Sequence, residues 1–112
     1  MFFNRNKSVS FLSMEEAKRE LSQDKSICLI DVRSSDEYAS GHIPGSMHLP
    51  LDRMAEAGRF VPDKDGRIFI YCLSGARSYQ ACVLLAKLGY SDVTNIGGIT
   101  QWTGKTEKAV GA

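Results

Sequence analysis

The sequence has no concentrated positive charge and no long hydrophobic run. Its 112 residues carry 14 basic and 13 acidic side chains, a formal net charge of +1, and the basic residues are scattered. Binding to nucleic acid or to an anionic membrane surface needs a concentrated basic field, so neither partner is expected. The longest apolar stretches, such as residues 83–86, are far shorter than the ~20 residues of a membrane-spanning helix. The composition predicts a single globular domain over residues 1–112.

Cysteine is scarce as well, with only Cys28, Cys72 and Cys82 in the chain. Their odd number and the absence of C-x-x-C or Cys/His zinc spacing exclude a disulfide framework and give no metal site. We expect no cofactor. Reduced thiols are typical of the cytoplasm, which is the predicted location.

The two ends of the chain show little patterning. The N-terminus has no continuous apolar stretch after its basic residues and no small-residue cleavage pattern, so it does not resemble a secretory signal. We expect a short arm over residues 1–7 and a flexible polar tail over residues 104–112, on an independent protein.

Between these ends, apolar runs alternate with helical patterns. Strands are predicted at residues 9–11, 27–32, 47–49, 67–71 and 93–96. Helices are predicted at residues 14–21, 35–40, 51–60 and 78–88, followed by a tight turn at 97–98 and a helical turn at 99–102. Alternating strands and helices are typical of a parallel α/β sheet.

The segment YCLSGARS, from Tyr71 to Ser78, carries the clearest chemical signal. It leaves a buried strand at Cys72 and enters a helix near Ser78, which directs a row of backbone N–H groups into one small bowl. Such a nest, backed by a helix N-terminus, favours negative charge and lowers the pKa of a thiol. Gly75 allows the loop to curl, and Arg77 adds a fixed positive charge. We therefore predict a nucleophilic Cys72 rather than a buried strand-end thiol.

Three further motifs accompany this loop. They are Asp31-Val32-Arg33 followed by Glu37-Tyr38, the turn Gly41-His42-Ile43-Pro44-Gly45-Ser46, and Gly97-Gly98-Ile99 with Trp102. In this order and spacing, the four motifs resemble the rhodanese family of single-domain sulfurtransferases over nearly the whole chain. The resemblance implies a five-stranded parallel sheet flanked by helices on both faces, with Cys72 and Arg77 as catalytic residues.

The activity implied by the resemblance is sulfur transfer through a persulfide on Cys72. The donor would be a small anion such as thiosulfate, or a persulfide or polysulfide, and the acceptor cyanide, a thiol or the thiol of a partner protein. The loop residues implied in binding are Leu73, Ser74, Gly75, Ala76, Arg77 and Ser78. Some relatives carry a basic residue inside this loop, whereas Leu73 and Ser74 are uncharged, which makes thiosulfate less favoured as the natural donor.

Other functions remain open on the same loop. Four residues separate Cys72 from Arg77, and related dual-specificity phosphatases carry one more. The shorter loop favours sulfur transfer over phosphatase or arsenate-reductase chemistry. A non-enzymatic protein-binding module is a further alternative, although such modules usually lack the cysteine. A redox sensor would need Cys82 exposed beside the loop to trap an oxidised Cys72, whereas we expect Cys82, like Cys28, in the core.

Four polar residues are predicted to support the site. Asp31 and Arg33 follow a buried strand, and Arg33 is expected to reach Glu37; the resemblance implies that they organise the active-site floor. His42 is expected to hydrogen-bond the backbone and hold its turn rather than to act as a base. Trp102 is expected to be a lid or a core aromatic near the site.

Overall fold

The computed structural model describes residues 9–109; the arm predicted at residues 1–7 lies outside the described residues. The five strands are β1 Ser10–Phe11, β2 Cys28–Asp31, β3 Met47–His48, β4 Ile68–Cys72 and β5 Val93–Gly98. The four α-helices are α1 Met14–Gln23, α2 Ser35–Ser40, α3 Ala57–Phe60 and α4 Ala76–Lys87. Two 3-10 helices cover Leu51–Glu56 and Ile99–Gln101. Within the described range, no helix is long and apolar enough to span a membrane.

The strands form one sheet in the order β1-β5-β4-β2-β3, and every neighbouring pair is parallel. The predicted five-stranded parallel sheet is thus confirmed. Strand β4 lies at its centre, next to β2, with Asp31 opposite Tyr71. Because parallel strands end at the same edge of a sheet, the residues that follow β2 and β4 lie side by side.

Strand β4 is buried along its whole length, and its side chains alternate between two cores. Ile70 and Cys72 face the core that contains Ala81 and Leu85 of α4. Tyr71 faces the other core, which is built on α1 and the end of β5. Helices therefore cover both faces of the sheet, as predicted, and the helix that covers the Cys72 face is the one that follows the loop.

Helix α1 and helix α2 begin where the sequence predicts. Ser13 and Ser34 are the N-cap residues, and Glu16 and Glu37 complete a capping box at each. The segment predicted as one helix at residues 51–60 is instead a 3-10 helix followed by a single α-helical turn. Neither piece has a side-chain cap, and 3-10 helices are short by nature because their hydrogen bonds are poorly aligned.

Two predicted boundaries around the loop are wrong. Helix α4 begins at Ala76 rather than near Ser78, because Gly75 adopts a left-handed φ of +114° and turns the chain directly into the helix. The predicted tight turn at residues 97–98 is part of β5. A register shift opposite Ile70 and Tyr71 leaves one extra residue in β5, and Gly97 supplies the positive φ of +89° at this bulge.

The predicted flexible tail is wrong for residues 104–109. Glu107 and His42 exchange two backbone hydrogen bonds of 2.8 Å, and the Ala109 N–H donates to the Ala39 carbonyl at 3.1 Å. Backbone pairing of this kind needs no apolar side chain, so the polar composition of the segment gave no sign of it. Residues 110–112 of the predicted tail lie outside the described residues.

Candidate active site

Cys72 is the last residue of β4 and is only 1% exposed. The chain then makes a short loop and enters α4 through Gly75. The left-handed conformation of Gly75 brings its N–H to 3.0 Å from the Cys72 Sγ. On the other side, the Ser78 hydroxyl lies 3.3 Å from the same sulfur. The thiol is therefore enclosed between the loop and the first turn of α4.

These contacts determine the acidity of the thiol. Burial by itself would raise the pKa of Cys72, but hydrogen bonds from the Ser78 side chain and from the backbone of Ser78, Gly75 and Ser74 outweigh it. The pKa of Cys72 therefore lies below its ordinary value. The cause is the one predicted from the sequence, a nest of donors at a helix N-terminus.

The loop residues predicted to bind a donor occupy two levels. Leu73, Ser74 and Ala76 are exposed at the rim, whereas Ser78 is fully buried beneath the loop. Clefts on several sides reach this loop. One of about 540 Å³ reaches Arg77, one of about 550 Å³ reaches Ser74, and one of about 460 Å³ reaches Leu73.

Arg77 lies in the first turn of α4, and Glu37 is its partner. Its two terminal nitrogens donate to the Glu37 carboxylate at 2.7 and 2.9 Å. The Arg77 hydrogen bonds, partly opposed by burial, lower the pKa of Glu37 to about 2. The Arg77 guanidinium is thus paired with a carboxylate beside the loop, whereas the sequence predicts Arg33 as the partner of Glu37.

The expected contact between Arg33 and Glu37 does not form. Arg33 instead pairs with Asp31, with an Nη2 to Oδ2 distance of 2.7 Å, and both side chains are almost fully buried. The same guanidinium donates to the Gly41 carbonyl at 2.7 Å. Asp31 is only two residues from Arg33 and lies opposite Tyr71 of β4, so the Arg33 pair forms locally, beside the loop. Glu37 is then available to accept hydrogen bonds from Arg77.

His42 makes a hydrogen bond to the backbone, as the sequence predicts. Its Nδ1 lies 2.9 Å from the Tyr38 carbonyl oxygen, and its ring stacks on the Tyr38 ring. The described contacts of Trp102 are with Lys105 and Lys18 and with the core of α1, on the face of the sheet opposite Cys72. Trp102 is therefore a partly buried aromatic that packs against this core and does not cover the thiol.

The remaining cysteines differ from Cys72. Cys82 is fully buried in α4, as predicted, and burial raises its pKa to about 12. Cys28 is partly buried, and burial raises its pKa as well. Of the three thiols, only Cys72 has its pKa lowered, and a buried Cys82 lacks the exposure that a resolving thiol needs.

The sequence matches the family model of the rhodanese-like domain over residues 13–105. The chain therefore belongs to the rhodanese-like domain family. A sulfurtransferase of Allochromatium vinosum is 39% identical over 95 residues, which cover 84% of this chain and 88% of that protein. The "Putative sulfur carrier protein YrkF" of Bacillus subtilis is 38% identical over 101 residues, 89% of this chain; the match spans 54% of that protein, about half its length. A solved structure described as rhodanese with anions from E. coli superimposes with a TM-score of 0.70 at 33% identity, covering 74% of this chain and 99% of that one.

The relatives named as sulfurtransferases place this rhodanese-like domain in a sulfur-transfer family. Two residues that contact the loop were not among the predicted site residues. Asn95 of β5 joins Ser78 to Gly75 through its side-chain amide. Gly98 lies directly under the loop, where a Cβ atom would overlap the Leu73 carbonyl oxygen. A single Asn within a strand gives no sequence pattern that would indicate its role. Two adjacent glycines, Gly97 and Gly98, are more typical of a turn than of a close backbone contact.

Proposed function

We propose that this rhodanese-like domain is a sulfurtransferase that carries sulfane sulfur as a persulfide on Cys72. The observation that supports the proposal is the environment of the thiol. Its Sγ accepts the Gly75 N–H at 3.0 Å, lies 3.3 Å from the Ser78 hydroxyl and has a lowered pKa. The thiolate, not the thiol, is the nucleophile in sulfur exchange. A nearly enclosed cysteine with a lowered pKa is therefore equipped to react with a small donor.

The reaction has two displacements. The Cys72 thiolate attacks the outer sulfur of a donor such as thiosulfate, a new S–S bond forms, and sulfite leaves with the electron pair of the broken S–S bond. The enzyme then holds Cys72–S–S⁻. A thiophilic acceptor, cyanide or a thiolate, attacks the outer sulfur, and the Cys72 thiolate leaves with its electron pair. Neither step requires an external oxidant, reductant or cofactor.

The charge on sulfur is stabilised by the groups that line the loop. The first backbone N–H groups of α4 have no partner inside the helix, and the helix dipole adds to their attraction for an anion. The hydrogen bonds to Glu37 are the main cause of the raised pKa of Arg77, and the nearby negative charge of a Cys72 thiolate adds to it. We assign the loop N–H groups the role of charge stabilisation and Arg77 the role of holding the loop with a partly shared positive charge. The anions named in the E. coli rhodanese structure are in line with this assignment.

The donor and acceptor reach the sulfur at the exposed rim. Leu73 and Ser74 are uncharged there, so the rim suits a polysulfide or a persulfide at least as well as thiosulfate. The acceptor we propose is a low-molecular-weight thiol or a protein thiol, with cyanide as the convenient laboratory acceptor. The reduced thiols that this chemistry uses are those of the cytoplasm, where we place the reaction.

Intact-protein mass spectrometry tests the proposal directly. The reduced protein is incubated briefly with thiosulfate and, separately, with polysulfide, beside Cys72→Ser and Cys28→Ser variants. We expect the mass of one sulfur atom on the wild type and on Cys28→Ser, with none on Cys72→Ser. Subsequent addition of cyanide should remove the mass and release thiocyanate.

Two results would overturn the proposal. One is sulfur on the Cys72→Ser variant at the wild-type level, because serine is nearly the same shape but cannot hold a persulfide. The other is no added sulfur from either donor on a folded wild-type protein. An aryl phosphate is included as a third arm, and its turnover in place of sulfur loading would assign the loop to phosphoryl chemistry.

A further inference from the structure

Asn95 of β5 hydrogen-bonds to Ser78 and Gly75, the two residues that contact the Cys72 sulfur. Asn95 is nearly buried, with 6% exposure. Its Oδ1 accepts the Gly97 N–H at 2.9 Å, and its Nδ2 donates to the Gly75 carbonyl at 3.2 Å. A backbone N–H can only donate, and a backbone carbonyl can only accept. These two bonds therefore determine which end of the amide is oxygen, and the oxygen lies 2.7 Å from the Ser78 hydroxyl.

Ser78 has a single hydroxyl hydrogen and three acceptors within reach. The distances from its Oγ are 2.7 Å to Asn95 Oδ1, 3.1 Å to the Gly75 carbonyl and 3.3 Å to Cys72 Sγ. The Gly75 carbonyl already accepts from Asn95 and, at 3.1 Å, from the Tyr79 N–H. The hydrogen is thus shared between two destinations, the Asn95 oxygen and the sulfur.

The charge state of Cys72 selects between them. A neutral thiol carries its own hydrogen and donates it to Ser78 Oγ, which leaves the Ser78 hydrogen for Asn95. A thiolate carries none and attracts the Ser78 hydrogen instead. The change needs only a rotation about the Ser78 Cβ–Oγ bond, and the Asn95 oxygen keeps the Gly97 N–H, so that buried oxygen is not left unpaired.

We propose that Asn95 is a positioning residue for the Cys72 nucleophile: it accepts the Ser78 hydroxyl hydrogen while Cys72 is a thiol and yields that hydrogen to the sulfur when the thiolate forms. The inference rests on the proposed function only in taking Cys72 as the nucleophile, because the exchange of hydrogen bonds precedes the arrival of sulfur.

Other charged groups around the thiol stay unchanged in the test. They are Arg77 of α4 with Glu37 of α2, and the Asp31 and Arg33 pair at the end of β2. The fully buried Cys82 of α4 carries a raised pKa and does not ionise in the range used. A shift between variants therefore reports the hydrogen bonds of Ser78 and Asn95.

The test is the pH dependence of Cys72 alkylation by iodoacetamide, with the modified residue located by peptide mass spectrometry. The variants are Ser78→Ala, Asn95→Ala, Asn95→Leu, which keeps the side-chain volume, and each Asn95 variant combined with Ser78→Ala. Removing Ser78 takes a hydrogen bond from the thiolate and should raise the apparent pKa by about one unit. Removing Asn95 takes away the nearest competing acceptor, at 2.7 Å, and leaves only the more distant Gly75 carbonyl, at 3.1 Å, so the apparent pKa should fall by about half a unit. In the Ser78→Ala background, the Asn95 variants should cause no further shift.

A purely structural role for Asn95 gives a different pattern. A loosened loop exposes the thiol and moves its apparent pKa up toward the ordinary value, in both backgrounds. Such a rise, or an equal shift with and without Ser78, would overturn the proposal. If both Asn95 variants fail to fold, Ser78→Ala decides alone, since an unchanged apparent pKa means that the Ser78 hydrogen never serves the sulfur. Sulfur loading is recorded in parallel. If the wild type accepts no sulfur while these pKa shifts are observed, the proposed function is contradicted and the proposed exchange of the Ser78 hydrogen bond is not.

Discussion

The Glu37 carboxylate and the Arg77 guanidinium form a two-bond pair, at 2.7 and 2.9 Å, between the first turns of α2 and α4. Glu37 also completes the capping box of α2 by accepting the Ser34 N–H at 3.0 Å. One carboxylate therefore caps the helix that follows β2 and accepts two hydrogen bonds from the first turn of the helix that follows β4. We therefore expect this link between two helices to help hold the conformation of the loop around Cys72.

Replacement of Arg77 by alanine should slow sulfur loading by about ten- to a hundredfold, because it removes charge-assisted hydrogen bonds that order the loop. Lysine should restore little of the rate, since an ammonium group cannot reproduce the two-bond pairing. Single-turnover loading from thiosulfate, followed by mass spectrometry, measures the effect. Arg59→Ala is the matched control, as Arg59 is an exposed arginine of α3. A wild-type loading rate in Arg77→Ala would show that neither the pair nor the charge matters for donor attack.

The same pair makes stability depend on pH below about 5. The folded pKa of Glu37 is about 2, below its unfolded value of 4.5. The stabilisation is fully present above pH 4.5 and is lost as the pH falls toward 2. Because the pair is partly exposed, we expect a loss of about 1 kcal/mol in the free energy of unfolding. Urea titrations between pH 5 and pH 2.5 measure it, and Glu37→Gln should show a shallower decline; equal slopes would contradict the pairing.

Substitution of Gly98 by alanine should distort the loop. Its backbone is extended, so the added Cβ causes no conformational strain, but that atom would overlap the Leu73 carbonyl oxygen and the Ser74 Cα. We expect a lower free energy of unfolding by about 1 to 3 kcal/mol and a strongly reduced loading rate. Gly58→Ala, where the new Cβ would point into open space beyond its own helix, is the control and should fold at least as stably as the wild type. Loading at the wild-type rate in Gly98→Ala would mean that the loop does not rest on β5.

Loss of Asp31 should destabilise the fold more than any surface ion pair does. Asp31→Ala leaves the buried Arg33 guanidinium without its carboxylate, for which a cost of about 3 to 5 kcal/mol is typical. Glu15→Ala breaks an exposed pair with Arg19 and should cost less than about 1 kcal/mol. Chemical denaturation of the two variants measures the difference. A similar, small effect for both would show that Arg33 finds another partner.

Local patterns predicted much of the framework. The continuous apolar stretches at residues 27–32 and 67–71 predicted strands covered on both faces, and the capping boxes at Ser13 and Ser34 placed two helix starts. The boundaries that failed depend on single backbone angles. Gly75 and Gly97 show this, since glycine permits a positive φ without revealing how the chain uses it.

By itself the sequence determined the class of fold and singled out Cys72 as the candidate nucleophile, because strand periodicity and the order of Cys72, Gly75 and Arg77 are local properties of the chain. Only the tertiary structure decided how charges and hydrogen bonds are shared around that residue. Glu37 lies 40 positions from Arg77, and Asn95 lies 17 positions from Ser78. Which partners meet across such separations is set by the parallel register of β2, β4 and β5, and that register is a product of packing the whole sheet.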